Sequence, residues 1–285
     1  MPDSYRRTVL PSSTALIDLL ETDLRAVLAR HSGPGPLIYG LCGAQGSGKS
    51  TVAAGLAARI AGVSVLSLDD LYLTKAERTA LARRVHPMLA TRGVPGTHDI
   101  PLGLDILCAL RNGERAALPR FDKAMDDRVL RASWGGASAD TRVLLLEGWC
   151  IGARAQPAAA LAAPINALEH TEDPDGIWRR FVNHALATEY AALFARIDRL
   201  VLLAAPGFDV VRDWRIEQEA DLGRQHSGPA ALMSNTQVTR FVAHFERLTR
   251  HILLEMPGRA DITIRLATDR SPLSLDRRDA PPPIP

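Results

Sequence analysis

Residues 43–50 read GAQGSGKS, a spacing of glycines, a lysine and a hydroxyl that can build an anion nest. Gly43, Gly46 and Gly48 let the backbone curl so that its amide hydrogens converge, Lys49 brings a compact cation on a flexible stem, and Ser50 brings a hydroxyl suited to Mg²⁺. Ala44, Gln45 and Ser47 complete the loop, and Thr51 continues into a helical pattern whose positive end adds to the field. The segment is expected to bind the phosphates of a nucleoside triphosphate, with Lys49 at the β- and γ-phosphates.

Three acids stand where apolar runs end. Asp69 and Asp70 follow VSVLSL (63–68), and Glu147 closes VLLLE (143–147). A carboxylate beside Mg²⁺ ligates it directly or through water, and one beside an acceptor hydroxyl orients it and takes its proton. Phosphoryl transfer is chiefly positioning and charge stabilisation, so a weak base suffices. Asp69 or Asp70 could instead cap the helical pattern of LYLTKAERTALARRV.

Such residues need a scaffold that delivers strand ends to one edge. LIYGLC (37–42) leads into the glycine loop, and Val52, Leu56 and Ile60 behind it share one helical face. With RLVLLA (199–204) and DITIRLA (261–267), the apolar runs number five, most of them separated by helical patterns. The expected fold is α/β, a P-loop nucleoside-triphosphate-binding fold with a mainly parallel sheet and helices on both faces. Ligands bind such sheets at the carboxyl ends of the strands.

Residues 1–36 are expected to form an N-terminal packing helix. Its face is Leu16, Leu19, Leu20, Leu24, Val27 and Leu28, its cap Ser12 or Ser13, and its stop Gly33 and Pro34. Residues 37–270 would be the nucleotide-binding domain, with a substrate insertion over 71–141 and a lid over 206–228. Val238, Phe241, Val242, Phe245, Leu248 and Ile252 make a core-facing helical stripe. The segment 271–285 is too poor in apolar residues to fold and is expected to be disordered.

The formal net charge is +2 over 285 residues with arginines spread along the chain, which argues against a nucleic-acid or polybasic membrane partner. No apolar run approaches a membrane span, and the N-terminus lacks a signal-peptide pattern, so a cytoplasmic protein acting on a small molecule is expected. Cys42, Cys108 and Cys150 are expected to be buried reduced thiols. Only three of the 34 basic residues are lysines, Lys49, Lys75 and Lys123, so each lysine raises the question of why an arginine does not serve there.

The blocks GAQGSGKST, SLDDLYLT, RGVPGTHD, PRFDK and LLEGW stand in the order found in D-glycerate 3-kinases of the plant, fungal and cyanobacterial type, and the chain resembles that family over roughly residues 37–268. The resemblance implies ATP and Mg²⁺ as cofactors and D-glycerate as acceptor. It also implies Asp69 as catalytic base, with Ser50, Glu147 and Asp69 on the metal side. Arg92, His98, Asp99, Arg120, Asp122 and Lys123 lie in the blocks that resemble substrate loops. Related kinases carry a lid arginine over the transferring phosphoryl group, here Arg215 in WRIEQE or else Arg212. Leu71, Phe121 and Ala124 replace the family's usual Phe, Tyr and Ser; the latter two remove hydroxyls near the acceptor and bear on which substrate is taken. The alternatives are a sibling kinase for pantothenate, a nucleoside or a sugar derivative, and an ATP-binding regulator without turnover. No Asn-Lys-x-Asp guanine-recognition block is present, and the oligomeric state is not legible.

Overall fold

The chain folds around a seven-stranded sheet in the computed structural model, which describes residues 5–11, 15–225 and 234–278. The strands in chain order are β1 (Tyr5–Val9), β2 (Leu37–Gly43), β3 (Val63–Ser67), β4 (Ala116–Leu118), β5 (Phe121–Asp122) and β6 (Asp127–Arg128). Then come β7 (Gly135–Ala137), β8 (Val143–Gly148), β9 (Arg199–Ala204), β10 (Ile262–Leu266) and β11 (Pro272–Arg278). The main sheet runs β1-β11-β10-β9-β2-β8-β3, with β4 and β7 forming one separate two-stranded antiparallel sheet and β5 and β6 a hairpin.

The five strands expected from sequence form its parallel part, from β10 to β3. Alternation sorts their side chains onto two faces. Leu37, Tyr39, Leu41, Val143, Leu145, Val201 and Leu203 pack in one core, and Ile38, Cys42, Leu144, Leu146, Leu200 and Leu202 in the other. Burial on both faces is why these strands read as unbroken apolar runs.

Helices α1 (Leu16–Leu28), α2 (Lys49–Arg59), α3 (Lys75–Arg84), α4 (Ile100–Arg111), α5 (Ala167–Glu172), α6 (Ile177–Ala185) and α7 (Ala191–Phe194) precede α8 (Phe208–Gln225) and α9 (Asn235–Glu255). Helices α1, α2 and the start of α8 cover one face, and α4, α6 and α7 the other. The α9 stripe is shared between them, Val238 and Val242 on one side and Phe245, Leu248 and Ile252 on the other.

Four differences from the sequence reading have physical causes. Residues 272–278, expected to be disordered, form β11, which pairs antiparallel with both β10 and β1 and buries Leu275. Local apolar content is low there because backbone pairing to two neighbours, rather than a side-chain face of its own, holds the strand; residues 279–285 lie outside the described residues. Ala15 takes the N-cap position of α1 without a side-chain hydrogen bond, and Ser12 and Ser13 lie outside the described residues. Neither Asp69 nor Asp70 caps α3: Thr74 and Glu77 form a reciprocal capping box, and residues 68–71 make a separate 3₁₀ turn. Cys108 is exposed, whereas Cys42 and Cys150 are buried, and all three are free thiols.

Candidate active site

Register brings the chemistry to one edge. Cys42 pairs with Gly148, Gly43 with Leu203 and Ser67 with Glu147, so the carboxyl ends of β2, β3, β8 and β9 are level. The glycine loop, the turn carrying Asp69 and Asp70, and Glu147 all emerge there.

The loop is held from behind. Gly46 has φ +76°, and a Cβ on it would stand 2.5 Å from the Cβ of Trp214, so only glycine lets α8 pack this closely. Trp214 donates its indole N–H to the Thr268 carbonyl at 2.6 Å. Arg270 donates to the Gly46 carbonyl at 2.7 Å, stacks on Trp214 and pairs with Glu217 at 2.6 Å. Sequence reasoning missed Trp214 and Arg270 as supports of the loop; the one available signal was the position of Arg270 just after the last parallel strand.

On the cleft side, the Ser50 hydroxyl donates to Glu147 Oε1 at 3.0 Å. Glu147 is 4% exposed, and its Oε2 is buried without a hydrogen-bond partner in the protein. A desolvated acceptor-only oxygen beside a serine hydroxyl is the chemistry that a hard divalent cation satisfies. Among the described residues no three His, Cys, Asp or Glu side chains gather into a metal cage. The Ser50 hydroxyl and the Glu147 carboxylate are a donor pair that fits Mg²⁺ shared with phosphate oxygens, its usual arrangement at nucleotides.

Asp69 lies just past the end of β3, the strand paired with β8. Tyr72, one turn on, donates its hydroxyl to Oδ1 at 2.5 Å, and Lys123 donates to Oδ2 at 2.7 Å. Burial disfavours the charge on Asp69, but the Lys123 and Lys49 ammonium groups and these two hydrogen bonds outweigh it, holding the carboxyl well below the usual carboxylate range. The field of Lys49 thus reaches Asp69, as expected if both face one cleft. Tyr72 ends the 68–71 turn, and its i+3 spacing from Asp69 brings its hydroxyl within reach of this acid.

Asp70 has a different task. Its Oδ1 accepts from Phe121 N–H at 3.0 Å and its Oδ2 from Arg120 at 3.1 Å, docking the β5–β6 hairpin on the sheet edge. Burial raises its pKa, the charge of Asp69 adding to the effect.

The remaining substrate-loop residues divide by engagement. Arg92 pairs with Asp126 and lies over the Phe121 ring. Asp122 caps its own turn, accepting from Ala124 and Met125 N–H. Asp99 caps α4 through Leu102 N–H and pairs with Arg128 at 3.1 Å, so both its oxygens are committed within the protein. His98 is 3% exposed, stacks on Tyr72 with ring centroids 4.7 Å apart, and bonds through Nδ1 to the Tyr190 hydroxyl. Burial pushes its pKa down to about 3 against the pull of Asp69, and its Nε2 has no hydrogen-bond partner in the protein.

Behind these, the Trp149 indole N–H donates to the Gly93 carbonyl at 2.8 Å, tying the RGVPG segment to the end of β8. Gly93 has φ +121° and sits against the Phe245 ring, where a Cβ would come within 2.6 Å.

The segment expected as a lid is more deeply anchored than its charge pattern suggested. In α8, Phe208, Val211 and Trp214 are buried on one face, because i, i+3 spacing presents them to the sheet. Arg212 pairs with Asp213 at 3.2 Å, and Arg215 bonds to Gln218 and lies over the Phe241 ring of α9. Residues 226–228 of the expected lid are outside the described residues. No helix among the described residues is long and apolar enough to cross a membrane.

Over 226 residues the chain is 34% identical to the uncharacterized kinase mug58 of Schizosaccharomyces pombe, covering 74% of this chain and 78% of that protein. It is 30% identical over 225 residues to the chloroplastic D-glycerate 3-kinase of Arabidopsis thaliana, covering 74% of this chain but 46% of the plant protein. A solved D-glycerate 3-kinase from Cryptococcus neoformans superposes with a TM-score of 0.75 at 23% identity, over 92% of this chain and 99% of that one, a likeness of fold. No protein-family model matches the chain.

Proposed function

The chain belongs to the family of ATP-dependent P-loop kinases that these relatives represent, and from that premise we propose that it phosphorylates a small hydroxy acid, D-glycerate before others, to give 3-phosphoglycerate. The observation that carries this reading is the Lys123–Asp69 pair: a cation and a carboxylate 2.7 Å apart, the carboxylate also within the field of Lys49 of the phosphate loop. A hydroxy acid presents the complementary pair, a carboxylate for the lysine and a hydroxyl for the aspartate. Aromatic residues are 5% of the chain, and Tyr72 and Phe121, the two rings beside the acids, pack on each other edge-to-face rather than standing free for a base.

In this reading the amides of residues 43–51 and Lys49 hold the triphosphate. Ser50 and Glu147 would hold Mg²⁺, with Asp69 on the metal side, and the ion would supply charge neutralisation at the phosphate oxygens. Asp69 orients the acceptor hydroxyl and takes its proton as the new Pγ–O bond forms; the bond to the bridging oxygen breaks, and ADP leaves with that electron pair. Lys123 and Arg120 sit on the acceptor side, with Arg92 and His98 shaping its floor and Asp99 and Asp122 holding the loops in place. Arg215, or Arg212 in its stead, is the arginine that α8 would bring to the phosphoryl group.

A coupled ADP-release assay tests the proposal, using the full chain with Mg-ATP and D-glycerate, L-glycerate, pantothenate and uridine in turn. D-glycerate should give the highest kcat/KM. A preference for uridine, or no turnover with any hydroxy acid, would overturn it.

A further inference from the structure

Both oxygens of Asp69 are engaged in this structure, Oδ1 by Tyr72 and Oδ2 by Lys123. An aspartate so held is a poor proton acceptor, and whatever reaches the acceptor site must first displace one of the two donors.

The two are unequal. Tyr72 is buried, its ring packed between His98 and Phe121. Lys123 is 62% exposed and sits in the turn of the β5–β6 hairpin. The hairpin's stem is clamped. Asp70 holds Phe121 and Arg120, Arg128 donates twice to the Tyr72 carbonyl, and Asp126 pairs with the buried Arg78 at 3.0 Å. A fixed stem thus presents a movable ammonium. The ammonium end of the pair is open to water and can change its carboxylate partner there, whereas the Tyr72 hydroxyl is packed in place. The choice of lysine in a chain that otherwise uses arginine follows: the guanidinium fork would grip the carboxylate with both arms, whereas an ammonium swings on four carbons.

We propose that Lys123 is a latch that makes the base conditional on the acceptor: it occupies Asp69 Oδ2 until an acceptor bearing its own carboxylate draws the ammonium away and frees that oxygen for the hydroxyl proton. Lys123 is thereby a specificity determinant as well as a binding group. Water brings no carboxylate, so it leaves the latch closed and is not activated towards ATP. Glycerol, which offers hydroxyls without the acid, leaves it closed too. The inference rests on the hydroxy-acid reading above.

The test is ATP hydrolysis by the full chain with Mg-ATP and no acceptor, compared between wild type, Lys123→Met and the double variant Lys123→Met/Asp69→Asn. Losing the latch should raise acceptor-independent hydrolysis about 10-fold, a fraction of what a freed general base contributes, and the double variant should return it to the wild-type level. The advantage of D-glycerate over glycerol as acceptor should shrink in parallel. Hydrolysis in Lys123→Met at or below the wild-type rate, with thermal stabilisation by Mg-ATP intact, would overturn the latch. Lys123→Gln gives the same readout if the methionine variant does not fold. Absence of D-glycerate-dependent ADP release in the wild type would instead refute the substrate reading, and the hydrolysis rates would still decide the latch.

Discussion

Replacing Glu147 by Gln should make the protein more stable and less active at once. Glu147 is 4% exposed; Oε1 receives the Ser50 hydroxyl at 3.0 Å and Oε2 receives nothing from the protein. An unsatisfied buried acceptor costs about 1–3 kcal/mol, and more when it carries charge. Glutamine keeps the shape and removes the charge, although its amide remains only partly satisfied, so a net gain of about 1 kcal/mol is expected without nucleotide or metal. For a domain of this size that corresponds to a rise of about 2–4 °C in the unfolding midpoint. If the carboxylate serves Mg²⁺, its loss should lower kcat/KM about 10- to 100-fold, or about 1.4–2.7 kcal/mol of transition-state stabilisation. The two measurements are a thermal scan in the presence of a chelator and the coupled ADP assay across a Mg²⁺ titration. A midpoint that falls while kcat/KM is unchanged would refute the reasoning, because Glu147 would then be a structural acid satisfied in place.

Two further outcomes follow from the same structure. Above pH 6.5, His98 is neutral in both states; as pH falls towards 3 the unfolded chain takes up a proton that the folded site refuses, so stability declines through that window by up to about 1.4 kcal/mol per pH unit. Chemical denaturation between pH 7 and pH 4 should show a flatter decline in His98→Gln, and equal slopes would contradict the assignment. Ending the chain after Ser271 removes β11 and the buried Leu275, a loss of about 2 kcal/mol from that side chain alone and at least about 4 °C in the midpoint; an unchanged midpoint would mean that β11 adds nothing to the fold.

Much of the site was legible because its signals are local. The glycine loop declares itself by residue spacing, since an anion nest is built from consecutive amides. The parallel strands declare themselves by apolar runs, since burial on both faces leaves no room for polar side chains. Once five strands run parallel, the acids at their ends must share an edge, so Asp69 and Glu147 could be placed on one edge of the sheet before any coordinates.

What required tertiary structure was the identity of each partner. Lys123 meets Asp69 across 54 positions, Arg120 meets Asp70 across 50, and Arg270 meets Gly46 across 224. Asp99 and Asp122 look as available in sequence as Asp69 does, yet the backbone amides of α4 and the hairpin turn claim them. β11 escaped notice because its stability lies in pairing with β10 and β1, chain segments that no local window contains. Residue type and spacing determined which chemistry the chain could offer; packing decided which donors each carboxylate meets, side-chain hydroxyl and ammonium groups at Asp69 but backbone amides at Asp99 and Asp122, because those donors come from segments that residue spacing does not bring together.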